Sequence, residues 1–107
     1  MGWLPQIPTR LLPDDAMVRV PNGNGFADGV ALRHVRFDRA QSVSDDGHRS
    51  ADAGAGTVFV DAVNTAGAFE VPAGSRVDIG GHSYLVAESR RFEGHRGRVH
   101  HWELVVR

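Results

Sequence analysis

Two histidines stand side by side near the end of the chain, His100-His101, followed directly by Trp102-Glu103. Two or three imidazoles with a carboxylate is a ligand set that zinc and iron accept. Four more histidines, His34, His48, His82 and His95, widen the choice. A small β-barrel metalloenzyme using His82, His100 or His101 is therefore one reading of the chain. Strand geometry speaks against it. Successive strand side chains point to opposite faces, so His100 falls with Trp102, Leu104 and Val106, and His101 with Glu103 and Val105. His48 and His95 stand beside glycines in loops, and the His-x-His spacing of a two-histidine barrel site does not occur. The histidines read as interface or surface polar groups, and neither a metal nor a cofactor is expected.

Other chemistries find less support. There is no cysteine and no Gly-x-Ser-x-Gly, and three of the six serines lie between residues 39 and 56. Asn22-Gly23-Asn24-Gly25 precedes no helix and no Gly-Lys pair exists, so a phosphate loop is not indicated. Asp14-Asp15 and Asp45-Asp46 read as solvated turn residues. Arg90, Arg91, Arg96 and Arg98 surround a loop with Phe92 among them, a basic stripe that could meet nucleic acid. A net charge of −1 disfavours a dedicated nucleic-acid binder. Pairing of these arginines with acidic groups of a neighbouring subunit fits better, since Arg is favoured at interfaces.

The elements that must position these residues are short. At 107 residues and 41% hydrophobic content the chain has room for one domain, residues 1–107, with a modest core. No apolar run is long enough to span a bilayer, and no secretory signal is expected from the opening residues. All 12 basic residues are Arg, a bias that a GC-rich genome explains.

Residues 1–14 combine Trp3, Leu4, Ile7, Leu11 and Leu12 with Pro5, Pro8 and Pro13. Such a segment is apolar yet unable to form helix or central strand. It is expected to be an extended arm lying across its own barrel or a neighbour, and dispensable for folding through residue 12. Ala16–Val20 reads as a strand, halted by the turn cluster at Pro21–Gly25. In Val30–Asp38 the apolar phase changes between Leu32 and Val35, which predicts a β-bulge near Arg33-His34. Residues 39–56 are rich in Ser, Asp, Gly and Ala and predict a long flexible loop. Strands follow at Thr57–Val63, Phe69–Val71, Arg76–Ile79, His82–Arg90 and from Val99 to Val106. Gly80-Gly81 is placed as a two-residue hairpin turn. Nothing of helical period and length occurs. The sum is an all-β fold, a small β-barrel of about six or seven strands.

Ile7-Pro8-Thr9-Arg10-Leu11-Leu12, Val58-Phe59-Val60-Asp61 with Asn64, Gly81-His82-Ser83-Tyr84-Leu85-Val86 and His100-His101-Trp102-Glu103 together resemble a family of small phage minor capsid proteins. These are similar to the head-closure or stopper proteins of the head–tail connector in long-tailed phages. The motifs stand in the same order and cover most of the chain. The Arg-only composition and the Gly- and Ala-rich loop depart from the pattern. The resemblance implies a non-enzymatic virion protein, present in the host cytoplasm before assembly. It implies a homo-oligomeric ring at the head–tail junction, with portal or adaptor proteins on the head side and tail or tail-terminator proteins on the other. Loops of the ring would reach packaged DNA in the channel without sequence specificity, and no membrane is involved.

On this reading the assembly interface comprises Trp3, Leu4, Ile7, Leu11, Leu12, Arg90, Arg91, Arg96, Arg98, His101 and Glu103. The channel loop carries Arg39, Asp45, Asp46, His48, Arg49 and Asp52.

Overall fold

The computed structural model describes residues 5–40 and 56–107. Eight strands occur among them: β1 (Asp14–Arg19), β2 (Pro21–Asn22), β3 (Gly25–Phe26), β4 (Val30–Arg39), β5 (Gly56–Asp61), β6 (Arg76–Ile79), β7 (His82–Glu93) and β8 (Val99–Val106). Six of them close into an antiparallel barrel in the order β1-β4-β5-β8-β7-β6, and β2 and β3 form a small separate hairpin. The helical turns described are short 3-10 turns at Thr9–Leu11 and His95–Gly97. The all-β barrel expected from the sequence is the fold.

Alternation builds the core. Val18, Leu32, Val35, Val58, Val60, Val77, Ile79, Val86, Trp102, Leu104 and Val106, drawn from all six barrel strands, form one buried cluster with Ala16 and Val71. β8 alternates without a break, burying His100, Trp102, Leu104 and Val106. Burying a Val or Leu side chain is worth about 1.5–3 kcal/mol, so a Val-rich interior suffices for a barrel this small.

The predicted bulge falls at His34. Asp14 stands opposite Val35 and Asp15 opposite Arg33, leaving His34 as the extra residue of β4. Its φ is 66°, a left-handed conformation that costs a non-glycine residue roughly 1–2 kcal/mol. The gain is phase: Leu32 and Val35 both point inward although their spacing is odd.

Several boundaries differ from the sequence reading, each for a physical reason. β1 starts at Asp14, two residues early, because its acidic side chains join the ladder. Asp14 Oδ2 accepts the Phe37 N–H at 2.9 Å, and Asp15 Oδ1 the His34 N–H at 3.4 Å. Pro21–Phe26 is a hairpin around Gly23 rather than a simple stop. Arg39 is the last residue of β4, paired with Gly56, so the long connection is confined to residues 40–55. A side chain at position 56 would stand 2.6 Å from Phe37 Cε1 and closer still to the Asp38 carbonyl, so only glycine fits there. Phe69–Val71 is in no ladder, although Val71 is fully buried. β7 continues to Glu93, three residues beyond the expected end. The Gly80-Gly81 turn has φ of 58° and 81°, as its hairpin geometry requires.

Candidate functional site

β5 ends in Asp61, whose carboxylate is fully buried. A buried charge is tolerated only when donors surround it, and here they come from two directions. The turn after β5 folds back on it, with the N–H groups of Val63 and Asn64 donating to Oδ2 at 3.1 and 2.8 Å. The N-terminal arm supplies the rest. Ile7 N–H donates to Oδ1 at 2.9 Å, and Gln6 Nε2 lies 3.0 and 3.1 Å from the two oxygens. Asn64 Nδ2 returns a bond to the Ile7 carbonyl at 2.8 Å, and Gln6 Nε2 reaches the His100 carbonyl at 2.9 Å. Burial alone would push the Asp61 carboxyl up. The N–H donors from Asn64, Gln6, Ile7 and Val63 outweigh it and hold the group below the usual carboxylate range.

Thr65 ties this clasp to the bulge. Its hydroxyl accepts the Asp61 N–H at 2.9 Å and donates to the His34 carbonyl at 2.5 Å. No buried side-chain nitrogen or oxygen among the described residues lacks a partner.

The histidine pair forms the other side of the clasp. His100 Nε2 lies 2.8 Å from the Pro5 carbonyl, His100 Nδ1 lies 2.8 Å from His101 Nδ1, and His101 Nε2 lies 3.0 Å from Glu103 Oε2. The expected divergence of the two imidazoles is corrected: the rings meet edge to face, with centroids 5.1 Å apart. A second bulge is the reason. Phe92 pairs with His101 but Glu93 with Val99, so His100 is an extra residue in β8, and a bulge re-aims side chains. The His101 ring also stacks flat on Phe92, with centroids 4.7 Å apart. His82 opens β7 beside the Gly80-Gly81 turn, at the opposite end of that strand from Phe92, so the structure does not group it with His100 and His101.

The other predicted site residues scatter. Trp3, Leu4, Asp45, Asp46, His48, Arg49 and Asp52 lie outside the described residues. Ile7 is half-buried in the clasp and Leu11 is exposed. Leu12 is fully buried within its own chain, because the 3-10 turn at Thr9–Leu11 rolls it inward. It therefore offers no surface to a neighbour. Arg90 pairs with Glu88, and Arg91 with Glu70 and Glu93, so these two arginines find their carboxylates inside the chain. Arg96 and Arg98 behave differently. They border a cleft of about 400 Å³ shared with Gln6, Val63 and Val99, and no ion pair joins either to a carboxylate among the described residues. Arg39 lies over the Phe37 ring at 5.5 Å.

Gln6 and Thr65 escaped the reading of the sequence, and Asp61 and Asn64 entered it only as part of a motif. The available signal was local: Asp61 followed by a polar Asn64-Thr65 reads as an aspartate capping its own turn. Its second set of partners comes from residues 54 and 55 positions away.

Three of the motif segments that carry the resemblance thus converge here, through Ile7, Asp61 with Asn64, and His100-His101 with Glu103. A family profile described as minor capsid protein matches residues 20–106. The chain belongs to the minor capsid protein family, which makes it a structural component of a phage virion. The match includes Asp61, Asn64, His100, His101 and Glu103, while the arm residues that they hold precede it. Neither the curated proteins nor the solved structures contain a significant match to the chain.

Proposed function

We propose that this chain is a connecting subunit of the head–tail junction, forming a ring that joins portal or adaptor proteins to tail components and helps retain packaged DNA. One observation carries the reading: the two specialised segments leave the barrel at opposite ends. Gly56, at the start of β5, pairs with Arg39 and closes the 40–55 connection. Asp61, at its other end, clasps the arm. Five residues of strand at about 3.3 Å each separate the two roots by roughly 17 Å. A subunit with a different appendage at each end suits a place between two unlike layers. The arm with Trp3 and Leu4 would serve one layer, and the connection with Asp45, Asp46, His48, Arg49 and Asp52 would serve the channel. Its mixed charges would let DNA slide, where a strongly basic lining would hold the phosphates.

The test is a particle assembled without this chain. Full heads that lose DNA and fail to join tails are the expected outcome. Stable, tailed, DNA-filled particles would refute the junction role, and gold-labelled chain spread over the whole shell would refute the location.

A further inference from the structure

The hydrogen-bond chain Pro5–His100–His101–Glu103 has a proton count that two neutral imidazoles cannot meet. Its first acceptor is a backbone carbonyl and its last is a carboxylate, and neither of these can donate. His100 Nε2 must therefore donate to Pro5, and His101 Nε2 must donate to Glu103. The Nδ1···Nδ1 contact at 2.8 Å needs a third proton between the rings. Two neutral imidazoles bring one N–H each, so the intact chain holds one proton more.

We infer that the His100–His101 pair carries a single shared proton that latches the N-terminal arm, so that the arm root loosens when the pair gives this proton up. The pair acts as one unit whichever ring is drawn as the imidazolium. While the proton is present, all three bonds are made and each is charge-assisted, which makes them shorter and about twice as strong as neutral bonds. Once it leaves, one bond must break and the remaining two lose that assistance. Pro5 is the member of the chain held by no ladder, since His100, His101 and Glu103 all belong to β8.

The surroundings make the latch local. Phe92 of β7 covers His101 on one side, and Phe59 of β5 lies 6.4 Å away on another. The charged groups facing the pair are Glu103 on its own strand, Arg90 opposite Glu103 on β7, and Asp61 opposite His101 on β5. Arg90 is bound to Glu88 and the Asp61 carboxylate is filled by its own donors. From the turn before β8, Arg96, Arg98 and His95 share the cleft with His100. Raising the pH should therefore open the latch, and lowering it should close it.

Nuclear magnetic resonance of the full chain, titrated between about pH 5 and about pH 8.5, tests this across the range where imidazoles change charge. The imidazole nitrogens of His100 and His101 should titrate as one unit. The Ile7 amide and the Gln6 side-chain amide should shift in the same transition, toward free-arm positions at high pH. Glu103→Gln provides the decisive control, because its amide can donate as well as accept and so completes the chain with two neutral rings. In that variant the arm signals should stay in the bound position throughout. In His101→Phe, which keeps the stack on Phe92, they should no longer respond to pH. Separate titration of the two rings, or Ile7 and Gln6 signals that stay fixed while the rings titrate, would overturn the latch. A Glu103→Gln protein whose arm follows pH as the unchanged protein does would overturn it as well.

Discussion

Asp61 is a single carboxylate on which both chain direction and arm position depend. Replacing it by Ala leaves the N–H groups of Ile7, Val63 and Asn64 facing a void, and unsatisfied buried donors cost about 1–3 kcal/mol each before relaxation. The Asp61→Ala protein should lose about 3 kcal/mol, read as a lowered denaturant midpoint. Its pH dependence has a definite sign. The folded carboxyl lies below its ordinary value, so its contribution is fully present above the unfolded carboxylate range and is lost as pH falls through the folded value. Acid denaturation of the unaltered chain should thus be steeper than that of Asp61→Ala, and parallel acid titrations followed by circular dichroism would show it. The residue was legible only in part. Asp61 and Asn64 stand out as a motif, but nothing in the sequence reveals that the arm supplies donors to a position 54 residues away.

At the scale of elements, strands with clean alternation were readable and irregular segments were not. Val77 and Ile79 in β6, the Gly80-Gly81 turn and the alternation of β8 follow directly from residue type, and so does the bulge, because an odd spacing between two apolar residues demands an extra one. The histidine pair was misjudged for the converse reason: a bulge at His100 leaves the burial alternation intact, so no phase change announced it. In the arm, prolines forbid a ladder but not burial, and the chain lays it across its own barrel, one of the two places the sequence allowed. With Leu12 inside and Gln6 and Ile7 on Asp61, removal of residues 1–12 should destabilise the domain rather than leave it untouched. The 40–55 connection should behave differently. Its ends are already joined by the Arg39–Gly56 pair, and loop length enters stability only logarithmically. Replacing residues 41–54 by a short turn should therefore leave the melting temperature nearly unchanged, while the arm deletion should lower it by several degrees. Calorimetry of both variants checks the contrast.

The whole molecule is a small barrel with limited lateral surface. From a chain of 107 residues the lateral patch expected for a neighbour is at or below the roughly 800 Å² per partner of ordinary stable interfaces. Much of the sequence's apolar arm is already committed to its own chain through Leu12 and the Asp61 clasp. In isolation the chain should sediment at micromolar concentration mainly as a monomer, and associate only on a template of matching symmetry that raises its local concentration. A salt-resistant ring formed without partners would contradict this. The ladder itself bears on how any neighbour can attach. Three residue pairs between β1 and β6, from Met17–Asp78 to Arg19–Arg76, close the circle, with Arg19 and Arg76 both on the Asp78 carboxylate. Closure removes from the barrel the free edge on which another chain could add a strand. Any chain that meets the barrel wall must therefore do so through side chains, which keeps barrels at high concentration from templating fibres on one another.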